Sequence, residues 1–128
     1  TPGAIGYVEL TYALDKKKLR AAKLQSADGS EFIAPSIESV TAAGAGIEIP
    51  DNLVLNLVNV KGKGIYPACG TVWAVTRTDN PKAEGIKKFL TWALGKEGQA
   101  LALPEHYAPL PESLAVKATQ ALQKLAGS

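Results

Sequence analysis

The first apolar stretch is residues 3–10 (GAIGYVEL), in which Gly3 and Gly6 punctuate Ala, Ile, Tyr, Val and Leu and the first charge is Glu9. A short, apolar, glycine-punctuated run of this kind predicts a buried strand. Residues 11–20 predict a short helix that ends in basic residues, which suit the negative end of a helix dipole. Between residues 22 and 35 two short extended pieces flank Asp28-Gly29, a pair that predicts a hairpin turn. Ser36 is placed to cap a helix over residues 36–43, and Ser39 falls where a capping box takes Glu or Gln. Gly44-Ala45-Gly46 ends that helix.

Residues 54–60 (VLNLVNV) are rich in β-formers and lead into the turn Lys61-Gly62-Lys63-Gly64. Residues 71–78 (TVWAVTRT) predict a second β-branched strand. Then the period changes. Asn80-Pro81 reads as an N-cap followed by an N1 proline. Ala83, Ile86, Phe89, Leu90, Ala93 and Leu94 then recur at spacings of three and four, the stripe of an amphipathic helix. Beyond Gly95, residues 97–103 predict a further short helix that stops at Pro104. Pro111 opens a last helix whose Leu114, Ala118, Ala121, Leu122 and Leu125 share one face. Strands come first and helices dominate afterwards, with no internal repeat, which gives an α/β or α+β class.

Composition narrows the function classes. A chain of 128 residues with 46% apolar and 20% charged residues is one ordered domain in size and character. Its net charge of +2, from 14 basic against 12 acidic residues, is too balanced for a nucleic-acid footprint. Lys16-Lys17-Lys18 with Arg20, and Lys61 with Lys63, read as solvated faces or turns, the alternative being an anion-steering patch. The aromatic residues are sparse and not interleaved with a basic stripe, so stacking on single-stranded nucleic acid is unsupported. No run approaches the ~20 apolar residues a membrane span requires. The chain opens on Thr1-Pro2-Gly3 without a signal-peptide pattern and contains no methionine, even at position 1. This predicts a chain processed or cut from something longer.

Catalytic constellations are scarce. His106 is the only histidine and Cys69 the only cysteine, so a Ser-His-Asp or Cys-His site would have to use His106. His106 lies in a Pro-rich loop and reads as a loop histidine without a special task; Cys69 reads as a small buried thiol. One His, one Cys and scattered acids do not make a metal site. Gly3-Ala4-Ile5-Gly6 and Gly62-Lys63-Gly64 are conceivable anion nests, but neither matches a nucleotide-binding fingerprint, and tight-turn glycines explain both. Trp92 falls beside the centre of its helix's apolar stripe, at the edge of an interface if there is one. The expected inventory is therefore no catalytic residue, no metal and no cofactor.

Three segments in order carry a family resemblance: residues 3–14 (GAIGYVELTYAL), residues 62–94 (GKGIYPACGTVWAVTRTDNPKAEGIKKFLTWAL) and residues 97–114 (EGQALALPEHYAPLPESL). Together they resemble the C-terminal portion of the phosphate-binding proteins that serve ABC-type phosphate importers. The Gly-Tyr-Val strand, the Tyr66-Pro67 step and the Tyr-Ala-Pro-Leu-Pro ending are the specific parts. The resemblance implies part of a two-lobed periplasmic-binding-protein (type II) fold, with mixed sheet elements followed by C-terminal helices. It implies that residues 1–67 belong to the second lobe. Residues 68–128 would hold the return crossing and the helices that complete the first lobe, with the crossing passing through residues 65–78. It also implies a periplasmic or extracytoplasmic location.

In that family phosphate is held by Ser and Thr hydroxyls, an Asp, an Arg and backbone N–H groups at helix N-termini, a donor set suited to a partly protonated oxyanion. The segments that carry those ligands lie upstream of the motif at Gly3, so no residue of this chain inherits the role. The implied partners are inorganic phosphate in the full-length protein only, the upstream part of the same fold, and the transporter's membrane subunits. Cys69 departs from the family pattern, in which Ile or Ser is expected. Two other readings stand beside this one: a stand-alone protein-interaction module using part of the same fold, and a small enzyme built on His106 or Cys69.

Overall fold

The structure, a computed structural model, describes residues 3–15 and 19–125. Thr1-Pro2 and the lysines at 16–18 therefore lie outside the described residues. The elements in chain order are α1 (Leu10–Asp15), β1 (Leu24–Gln25), β2 (Phe32–Ile33), α2 (Ile37–Ala45), α3 (Ala83–Leu94), α4 (Lys96–Ala100) and α5 (Glu112–Leu122). The class is α/β, with one small sheet and helices that dominate the second half.

The hairpin forms where Asp28-Gly29 predicts it. β1 and β2 pair antiparallel with Leu24 opposite Ile33 and Gln25 opposite Phe32. Gly29 adopts φ 76°, which only glycine takes without strain. Ser26 N–H donates to the Glu31 carbonyl at 2.8 Å, and the Ser26 and Ser30 hydroxyls both donate to Asp28 Oδ1, at 2.6 and 2.7 Å. α2 follows with a complete capping box: Ser39 N–H donates to Ser36 Oγ, while Ser36 N–H donates to Ser39 Oγ at 2.9 Å. Serine thus does the work of the longer Glu or Gln at this position.

Three expected strands are corrected. Residues 54–60 form no strand, because Asn52 and Asn56 turn their side-chain carbonyls onto the N–H groups of Val54 and Val58, at 3.0 and 2.9 Å. Such local bonds compete with a ladder, and positive φ angles at Leu53 and Asn59 bend the chain further. What remains is one antiparallel bridge, Val58 to Ala68. Residues 3–9 and residues 71–78 lie in no strand, because no described strand pairs with them. Where a buried strand is expected, Ile5 and Tyr7 are 98% and 99% exposed, and Val72 and Val75 are 83% and 90% exposed.

The helices shift less. α1 begins one residue early and spans six residues, and residues 19–20 are not helical. α3 starts at Ala83 rather than Pro81, since Asn80 Oδ1 accepts from Lys82 N–H at 2.9 Å and makes a turn first. α4 ends at Ala100, and turns continue to His106. Gln99 fixes this region: its Nε2 donates to the Ala93 carbonyl at 2.8 Å, and its Oε1 accepts from Leu110 N–H at 2.7 Å.

Apolar burial is divided between two clusters. Ala43, Leu57, Ile65 and Cys69 form the first, with Val40 and Ile47 of the α2 region packed on it. Ala83, Leu122 and Leu125 form the second, with Ile86, Leu90 and Leu94 against them, so α3 lies on α5. Residues 70–78 join the two and are mostly exposed, whereas Ile65 and Cys69, expected in the crossing, are core. Lys117 links the clusters from α5: its Nζ donates to the Ile49 carbonyl and pairs with Asp51 at 3.1 Å.

Candidate functional site

The residues singled out for chemistry are not assembled into a reactive group. Cys69 is buried among apolar neighbours, and its Sγ donates to the Tyr66 carbonyl at 3.0 Å. Burial pushes its thiol above the ordinary value of 9.0, which keeps the sulfur protonated and unreactive near neutral pH. Burial also pushes up Tyr66, with Cys69 adding to the effect. His106 sits at the end of the turns after α4 with φ 61°, half-buried. Among the described residues no group of three or more His, Cys, Asp or Glu is placed to hold a metal ion. None of their helices is long and apolar enough to cross a membrane.

The two glycine pairs differ. Gly3 and Gly6 are open to solvent, with nothing within 4 Å of where a Cβ would stand, and Gly3 has φ 81°. Gly62 and Gly64 make the expected turn, with φ 149° and 73°, but Gly64 N–H donates to Glu31 Oε1 at 2.9 Å. A carboxylate of the chain itself therefore takes the donor that an anion would use. The N-terminus of α2 is closed in the same way, since Ser36 and Ser39 spend their hydroxyls on each other's N–H groups. Arg77 is clamped by Asp79, with Nε and Nη2 donating at 2.8 and 2.6 Å. That hydrogen bond raises the guanidinium and lowers the carboxyl from their ordinary values.

The feature that is open is apolar. A groove runs between residues 74–76 and α3, lined by Ala74, Val75, Ile86, Phe89 and Leu90 among others. Phe89, placed by its spacing on the buried stripe, is exposed on this side and meets Trp92 with ring centroids 6.0 Å apart. The stripe is wider than α5 covers: Ala83, Ile86 and Leu90 face α5's cluster while Phe89 faces out. Neither the groove nor the exposure of residues 71–78 was readable from periodicity, which reports an apolar face but not whether a neighbour exists to cover it.

A clasp of polar contacts positions the other open stretch. Tyr107 Oη donates to Glu9 Oε2 at 3.0 Å, and Thr11 Oγ1 donates to the Glu105 carbonyl at 3.3 Å. The Glu9 contact also raises Tyr107. Residues 3–8 extend beyond this clasp with their apolar side chains in solvent.

The PBP superfamily domain matches residues 1–97, and the chain belongs to that superfamily. It is similar to the phosphate-binding protein PstS of Xylella fastidiosa (strain 9a5c), at 37% identity over 88% of this chain and 31% of that protein. It is also similar to the phosphate-binding protein PstS of Methanocaldococcus jannaschii, at 34% identity over 90% of this chain and 33% of that protein. The chain thus spans about a third of the length of the curated relatives it matches. Those relatives carry names of binding proteins, not of enzymes.

Proposed function

We propose that this chain is the C-terminal part of an extracytoplasmic phosphate-binding protein that delivers inorganic phosphate to an ABC importer. The observation that carries the reading is the match itself: nearly nine-tenths of the chain aligns with phosphate-binding proteins while spanning about a third of them. The ligand residues then lie in the part of the fold that precedes Gly3. This agrees with a chain whose α2 N-terminus, Gly64 N–H and Arg77 are all engaged by its own side chains. Residues 1–67 would belong to the second lobe, and residues 68–128 would form the return crossing and complete the first. Two apolar clusters on either side of residues 70–78 support a division of this kind, although Cys69 packs with the earlier cluster. The periplasm or the outer face of the cell membrane is the corresponding location, and the transporter's membrane subunits are the partners.

The test is a hybrid in which this chain replaces the matched third of the Xylella fastidiosa protein. Calorimetric titration should give selective binding of phosphate over sulfate at roughly micromolar Kd or tighter. A folded hybrid that binds neither anion contradicts the reading.

A further inference from the structure

Besides the backbone at residues 70–78, side chains reach from the stretch of chain that holds one apolar cluster to the stretch that holds the other. Thr11 and Tyr107 do so through exposed hydrogen bonds, where water competes. α5 does so from a better shielded place. Its N-cap, Pro111, lies over Gly44 of α2, where a Cβ would come within 3.2 Å of Pro111 Cγ. Farther along α5, Lys117 Nζ donates to the Ile49 carbonyl and pairs with Asp51 at 3.1 Å. α5 buries Leu122 in the later cluster, so one helix serves that cluster with its apolar side and the earlier stretch of chain with its ammonium.

The receiving end is preset. Pro50 has a fixed φ, and its carbonyl accepts from Leu53 N–H at 3.0 Å, which closes a turn with Asp51 at its tip. The Ile49 carbonyl enters that turn, so both acceptors are held for a single cation. Asp51 is 96% exposed, and an ion pair there adds little by itself. The bond to Ile49 adds more, because it is part-buried and charge-assisted and fixes the backbone beyond α2. In a hinged clamp the lobes rotate about such connections. A binder whose competent arrangement is only partly populated loses affinity by that fraction. Resting on the function and the lobe division proposed above, we propose that Lys117 is a positioning residue for phosphate capture. It straps α5 of the first lobe to residues 49–51 of the second and so sets the fraction of molecules poised to close on the anion.

The test uses the hybrid in which this chain replaces the matched third of the Xylella fastidiosa protein, with calorimetry, stopped-flow phosphate release and small-angle scattering. Lys117→Met keeps the hydrocarbon stem but removes the charge and the donors. Its phosphate Kd should weaken by about three- to tenfold, mostly through faster release. Lys117→Arg keeps charge and donors and should stay within about twofold of the parent. Asp51→Asn should weaken binding less, since the Ile49 contact persists, and should add nothing once Lys117 is Met. The preference for phosphate over sulfate should not move, because the strap acts on the lobes and not on the anion. A lower melting temperature with Kd and release rate unchanged would make Lys117 a merely stabilising residue and overturn the proposal. Tighter binding by Lys117→Met, or additive effects of the two substitutions, would overturn it too. A parent hybrid that binds neither anion removes the functional reading instead, and the strap is then judged by scattering from the unliganded protein. Lys117→Met should enlarge the radius of gyration and Lys117→Arg should not; equal values for the parent and Lys117→Met overturn the strap.

Discussion

Asp28 shows how much local order a few atoms create. Its carboxylate accepts from the Ser26 hydroxyl, the Ser30 backbone N–H and the Ser30 hydroxyl, and these bonds hold its pKa at about 2, below the ordinary 3.8. The folded state therefore binds the Asp28 proton more weakly than the unfolded state does. The resulting stability is present above the unfolded value and lost as pH falls through about 2. An NMR titration of the Asp28 carboxyl should give a midpoint near 2, and Ser26→Ala should move it toward 3.8. Cys69 works in the opposite direction. Its raised thiol contributes stability that is complete below its ordinary 9.0 and lost as pH rises beyond it. Alkylation of Cys69 by iodoacetamide at pH 7.5 should run at least about tenfold slower than in the urea-unfolded chain, because the thiolate is scarce and buried.

At the scale of elements, the junction of α3 and α4 is the tightest place in the structure. A Cβ at Gly98 would lie 2.5 Å from Ala93 Cα and 2.6 Å from the Ala93 and Trp92 carbonyl oxygens. Gly98→Ala should therefore destabilise by about 1–3 kcal/mol. Gly85, inside α3 with nothing within 4 Å of its virtual Cβ, is the control. Gly85→Ala should stabilise by about 0.5–1 kcal/mol through helix propensity, and paired thermal melts check both. These elements also show what sequence reasoning reaches. The Asp28-Gly29 turn, the Ser36 cap and the α3 stripe were legible because each is decided within a few residues. The three missing strands were not legible, because a strand exists only when something pairs with it. In residues 54–60 the side chains of Asn52 and Asn56 take the backbone N–H groups of Val54 and Val58. In residues 3–9 and 71–78 the β-forming pattern is present but the partner is not among the described residues. The lack of a ligand site was an inference from the resemblance, and it remains a proposal.

At the scale of the whole molecule, the balance between buried and exposed apolar surface is unusual. The clusters centre on small residues such as Ala43 and Ala83, while Ile5, Tyr7, Val72 and Val75 face solvent. Exposed apolar side chains in such number favour contact with a partner or aggregation. Unlike surfaces on one molecule associate without closing into a fixed oligomer. Light scattering coupled to size exclusion at low micromolar concentration should therefore give a mass above that of the 13.4 kDa monomer that rises with concentration. A sharp monomer peak with a cooperative melt would instead favour the stand-alone interaction module, since the chain would then close its own core.

The central claim is that this part of the fold shapes and completes a phosphate clamp without holding the anion. Isothermal titration of the purified 128-residue chain with phosphate, and separately with sulfate, tests it most directly. The account predicts no saturable heat for either anion, and the α2 N-terminus, Gly64 N–H and Arg77 are each engaged by the chain's own side chains. Phosphate-selective binding by the chain alone, at roughly micromolar Kd or tighter, would contradict it.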